Sequence, residues 1–153
     1  MTAGSAELTV HIERVLPASR SLVFTANTEP RHLARWWGPK GFKAPSVEID
    51  LRVGGSYRIA MQPPDAALFH LSGEFLEIEP PSRLVYTFRW DEPDPDDRET
   101  FVTILLEEMG KSTFLTVDQG LFATEERRSL HLQGWTEGLD RLHDLLSKPN
   151  PAP

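Results

Sequence analysis

The polar and apolar positions of this chain repeat with two different periods. In ELTVHIERV, residues 7–15, Leu8, Val10 and Ile12 alternate with Thr9, His11 and Glu13, the two-residue period of a half-buried strand. After Pro17, ASRSLVFTANT carries Leu22, Val23 and Ala26 at helical steps, with Ser19 as its cap. A second short helix is predicted from Glu29-Pro30, where proline suits a first turn, to Gly38-Pro39, where glycine permits a left-handed cap and proline forbids continuation. A series of strand signals then runs to Gly120. SVEIDLR puts Val47, Ile49 and Leu51 on one face, and Gly54-Gly55 turns the chain into SYRIAMQ, with Tyr57, Ile59 and Met61 aligned. LFHLSGEFLEIE, residues 68–79, is apolar on both sides, so its register stays open, and Gly73 marks a bulge in this reading. LVYTFRW alternates cleanly, with Leu84, Tyr86, Phe88 and Trp90 opposing Val85, Thr87 and Arg89. The acidic loop DEPDPDD, read as solvated, separates it from FVTILLEE and STFLTVDQG.

The last element changes period. Across residues 125–148, Leu132, Trp135, Leu139, Leu142 and Leu146 recur at three- and four-residue steps, an amphipathic helix with Thr124 as its cap. An antiparallel sheet with one apolar face must be covered, and this helix is the one element long enough to do it. The expected fold class is α+β: a curved antiparallel sheet wrapped around a long C-terminal helix, with two short helices after the first strand. The 153 residues suit one domain, placed at 7–148, with residues 1–6 and 149–153 as loose tails.

Composition narrows the partners. The formal charge of -7 argues against nucleic acid, which needs clustered Lys and Arg. The absence of cysteine excludes disulfides, thiol catalysis and Cys-based zinc sites. The first residues lack a secretory signal and no apolar run is long enough to span a bilayer, so a cytoplasmic protein with no membrane partner is expected.

The stretches RWWGP (35–39), DLRVGGSYR (50–58), GEFLEIEPPSRLVYTFRW (73–90) and GWTEGLDRL (134–142) carry a resemblance that covers residues 7–147. Together they resemble the helix-grip superfamily of START, polyketide-cyclase and birch-pollen-allergen proteins, and within it the bacterial branch related to the activator of heat-shock protein 90 ATPase. The resemblance implies a cavity between sheet and helix whose mouth is formed by the short helices and the loop after them.

Candidate residues follow from the pattern and the resemblance together. Adjacent helical residues point about 100° apart, so one face hardly buries both Trp36 and Trp37. Either one packs on the sheet edge while the other fills a surface groove, or one lines the cavity mouth beside Phe42. Gly134 and Gly138 each cost about 1 kcal/mol in a helix interior. They mark either close approach to a strand or volume left beside Trp135 and His131, opposite Met61, Phe88 and Trp90. Arg58, His70 and Glu74 form a possible polar group in the cavity, or else a solvated face. No histidine pair has metal-ligand spacing, and no nucleophile elbow, phosphate loop or dinucleotide fingerprint occurs.

The expected function is binding of a small hydrophobic or aromatic molecule without cofactor or metal. One alternative is a cyclase- or hydrolase-like enzyme using Arg58, His70 or Glu74. The other is a stress-related, co-chaperone-like interaction module, homodimeric in its simplest form, using an exposed member of the tryptophan pair.

Overall fold

The computed structural model describes residues 8–148. The two expected tails, 1–6 and 149–153, lie outside the described residues. Seven strands form one antiparallel sheet: β1 (Val10–Leu16), β2 (Lys43–Ile49), β3 (Ser56–Gln62), β4 (Phe69–Glu79), β5 (Arg83–Trp90), β6 (Thr100–Met109) and β7 (Ser112–Gly120). Their spatial order is β1-β7-β6-β5-β4-β3-β2, so the first two strands of the chain form the two edges. Between them run α1 (Arg20–Thr28) and α2 (Pro30–Leu33), and α3 (Glu125–Ser147) follows the last strand. This is the expected helix-grip arrangement.

Local chemistry sets the helix ends. Ser19 and Thr124 accept hydrogen bonds from the backbone N–H groups of Leu22 and Arg127, capping α1 and α3. Glu125 and Glu126 add negative charge to the first turn of α3, complementing its dipole. The apolar stripe of α3 buries Trp135, Leu139 and Leu142, which join Val10, Val117 and Leu115 in one core between helix and sheet. Arg14 on β1 donates to Asp140 at 2.7 Å and fastens the same helix to the sheet edge.

Three local expectations change. The second helix stops at Leu33, and Ala34 to Trp36 continue as a turn. The strand from 46 ends at Ile49, leaving Leu51 exposed beyond the pairing with β3. Gly73 is not the bulge, which lies between Phe75 and Glu77. A Cβ on Gly73 would stand 1.9 Å from the Thr87 carbonyl oxygen and 2.6 Å from the Tyr57 ring. The glycine is required because Tyr57 reaches across it to donate to that same carbonyl at 2.7 Å.

The register of β4, open in the sequence, puts Phe69, Leu71 and Phe75 on the covered face. Tyr57, Phe75 and Tyr86 form a trio with ring centroids 5.2–6.0 Å apart, filling one end of the interior. The other end is hollow.

Candidate functional site

The hollow is a cavity of about 340 Å³ between the sheet and α3, within the span of small-molecule sites, roughly 300–1,000 Å³. The sheet contributes Met61, Phe69, Leu71, Phe88 and Trp90; α3 contributes His131, Gly134, Trp135 and Gly138; the segment after α2 contributes Trp36, Trp37 and Phe42. The nine residues singled out as ligand-binding candidates therefore border one space.

The tryptophan pair is accommodated because the chain has left its helix before reaching it. Trp36 is 1% exposed and Trp37 7%, so neither offers a surface. Trp36 turns under α1 and donates Nε1 to the Ala26 carbonyl at 2.9 Å. In a continuing helix that carbonyl would bond residue 30, which is proline and has no N–H. Trp37 stacks edge-on against Trp135, centroids 5.4 Å apart, and its Nε1 is buried without a partner.

The helix glycines face this same segment. A Cβ on Gly138 would sit 3.5 Å from the Gly38 carbonyl oxygen, and one on Gly134 would sit 3.8 Å from the Pro39 ring. The close neighbour is thus the loop after Trp37 and not a strand, and both positions border the cavity. Because these contacts are ordinary, Gly134→Ala should fold and gain about 0.5–1 kcal/mol from helix propensity. Urea unfolding measures that gain, which a forced displacement of Pro39 would turn into a loss.

Polar side chains of α3 hold the loop in place. Arg141 Nη1 donates to the carbonyls of Trp37, Gly38 and Pro39 at 3.0, 3.0 and 3.2 Å. Glu137 accepts the Lys40 backbone N–H at 2.9 Å. Further along, Arg127 pairs with Asp94 at 2.7 Å, Asp96 at 3.0 Å and Asp97 at 3.3 Å. The acidic loop is therefore fastened to α3, where the sequence reading left it solvated. The hydrogen bond to Asp96 is the largest cause raising the Arg127 pKa above its ordinary value. Glu92, Asp94, Asp97 and Arg127 border the cavity, together with exposed Leu130.

Of the three proposed polar groups, only His70 borders the cavity. Arg58 and Glu74 are exposed, and Arg58 donates to Asp91 at 2.8 Å. They stand opposite Ser72 and Ser56, on the face of β3 and β4 that alternates with the covered one. This corrects the expectation of a polar trio inside. The enzyme reading loses two of its three groups, and the interaction reading loses its exposed tryptophan.

His131 lies among Phe88, Trp90 and Phe122, with ring centroids 5.3, 5.6 and 4.7 Å away. Burial among these rings, helped by the Arg127 charge, pushes its pKa down from 6.5 to about 4. At neutral pH it is an uncharged imidazole and a weak base. Between those two pH values the unfolded chain binds a proton that the folded one does not, so stability falls as pH drops from 6.5 toward 4. Relative to His131→Phe, native protein should lose on the order of 3 kcal/mol across that window. Parallel unfolding curves for the two proteins would contradict this.

Among the described residues no group of His, Asp and Glu could hold a metal ion, and no helix is long and apolar enough to cross a membrane. The residues missed by sequence reading include Phe69 and Leu71, whose strand register is ambiguous, the acidic Glu92, Asp94 and Asp97 at the cavity border, and the clamps Arg127, Glu137 and Arg141. The pairing of EERR at 125–128 with an acidic loop was the available signal for the first of those clamps.

No curated protein matches the chain. Among solved structures it is similar to protein NE0264 from Nitrosomonas europaea: 30% identity, TM-score 0.78, covering 93% of this chain and 96% of that one. It is also similar to the AHSA1 (SPO3351) protein from Silicibacter pomeroyi, at 26% identity and TM-score 0.77, covering 91% and 97%. A protein from Arthrobacter aurescens, 24% identical, shares the fold with TM-score 0.83 over 94% and 88%. Residues 17–147 match the family described as Activator of Hsp90 ATPase homolog 1-like protein, and the chain belongs to that family.

Proposed function

We propose that this protein binds a small hydrophobic or aromatic molecule between the sheet and α3. The observation that carries the reading is the 340 Å³ cavity, walled by the rings of Trp37, Phe69, Phe88, Trp90 and Trp135. Such a space left to water would keep large apolar surfaces wet, so an apolar occupant gains their burial, about 25 cal/mol per Å². The support for binding over chemistry is the character of the polar groups at hand. Arg127 pairs with three aspartates and donates to Asp94 and Asp96, His131 is held neutral and Trp135 donates Nε1 to Gln119 at 2.7 Å.

A screen of neutral ring compounds by thermal unfolding tests the reading. A ligand present at about a hundred times its Kd adds about 2.7 kcal/mol to the folded state. Gly134→Leu, which directs a bulky side chain at the cavity, should fold and lose that shift. Retention of the full shift in the filled variant would place binding elsewhere.

A further inference from the structure

The cavity has closed walls and one open end, and the binding reading above makes that end a working part. Of the residues that border the space, Glu92, Asp94 and Leu130 are exposed, and the others are buried or half-buried. All three stand where the loop between β5 and β6 meets the first two turns of α3. The loop after α2, which the resemblance makes part of the mouth, is pinned to α3 through Arg141 and Glu137.

The chain at the open end is held differently. Turn 94–97 closes on itself: Asp97 N–H donates to the Asp94 carbonyl at 2.9 Å, and Asp94 N–H to Asp97 Oδ2 at 2.8 Å. Among the described residues, its hydrogen bonds and ion pairs to any other element all go to Arg127. Arg127 is fixed on the helix side, where its backbone N–H donates to the Thr124 cap at 3.1 Å. Its Nη2 serves Asp94 and Asp96, whereas Nε lies 3.3 Å from Asp97 and stays buried without a hydrogen-bond partner. The closed turn therefore leaves one N–H unsatisfied that water reaches once the turn swings out, so closure is held by less than a full set of bonds. We infer that ligands enter and leave between turn 94–97 and the first two turns of α3, and that Arg127 is the latch of this gate. Opening precedes both entry and exit, so a weaker latch speeds both alike and leaves the equilibrium in place.

Asp96→Ala is the informative variant, because Asp96 bonds the latch at 3.0 Å and does not border the cavity. The probe is N-phenylnaphthylamine, an uncharged dye that brightens in apolar surroundings, followed by stopped-flow mixing. Association and dissociation rate constants should both rise about threefold or more, part of the roughly tenfold that one charge-assisted hydrogen bond is worth, while Kd changes less than about twofold. Arg127→Gln, which frees all three aspartates, should give the larger rise, about tenfold or more. Peroxide oxidation of Met61, which borders the cavity and is 5% exposed, reads the same opening without a ligand. Peptide mass spectrometry should show Met61 sulfoxide forming faster in both variants, with exposed Met109 as the unchanged reference. An unaltered Met61 rate in Arg127→Gln would overturn the latch, whatever the dye does. Faster dissociation of the dye from Asp96→Ala with unaltered association would show loosened packing in place of a gate, and would overturn it too. Faster Met61 oxidation with no dye bound by any of the proteins would leave the gate standing and count against the binding reading itself.

Discussion

Trp36→Ala is expected to lower the stability of the ligand-free protein by about 3–5 kcal/mol, the range for deleting a buried large aromatic side chain. Two losses combine at this position. The side chain is 1% exposed and belongs to the main core, so its removal leaves a void that neighbouring rings fill only in part. Its Nε1 also satisfies the Ala26 carbonyl at the end of α1, which Pro30 is unable to do. Trp36→Phe separates the two losses, because it keeps most of the volume and leaves the carbonyl unpaired; it should cost about 1–3 kcal/mol. Guanidinium unfolding of the three proteins measures both steps. Equal stability of Trp36→Phe and native protein would show that the bond to Ala26 contributes nothing.

Arg141→Met should cost about 2–3 kcal/mol, the magnitude of losing hydrogen bonds to a charged donor. The residue is partly buried and has no carboxylate partner among the described residues; burial lowers its pKa below the ordinary guanidinium value. What keeps it there is the set of three carbonyls from Trp37, Gly38 and Pro39. Those groups belong to a loop that faces α3 at Gly134 and Gly138, where the helix has no side chain with which to hold it. Arg141→Lys should recover only part of the loss, since an ammonium lacks the planar fork that reaches several oxygens at once. Because the same loop walls the cavity, both variants should also weaken ligand binding. Unfolding curves for the pair check the stability, and a lysine variant as stable as native protein would refute the role given to the fork.

Much of the architecture could be read from periodicity. Alternation in 84–90 and the leucine steps of 132–146 each specify a buried face, because a slip of one residue would invert it. The caps at Ser19 and Thr124 were legible for a similarly local reason: a side-chain oxygen and an N–H three residues away suffice. Residues 68–79 were ambiguous because both faces carry apolar groups, and only pairing to β3 selects Phe69 and Leu71 for the interior. Gly73 shows the same limit, since its cause is Tyr57 crossing from the neighbouring strand, a contact that one segment does not encode.

The candidate site divides in the same manner. Its apolar wall was accessible as a set of residue types and parities: Met61, Phe88, Trp90, Trp135 and Gly138 needed only the fold to bring them together. The polar groups were not, because sequence parity leaves open which face points inward. Arg58 and Glu74 share that parity with His70, and the sheet turns them outward. The ionic clamp of Arg127 links residues thirty or more positions apart and depends on the angle at which α3 crosses the sheet.

The most direct test of the interior hollow is a crystal structure of the protein under xenon pressure, since xenon reports apolar cavities without requiring the right ligand. The account predicts xenon density between Trp37, Phe88 and Trp135, displaced in Gly134→Leu. Native crystals in which side chains fill that volume and xenon binds nowhere within it would contradict the account.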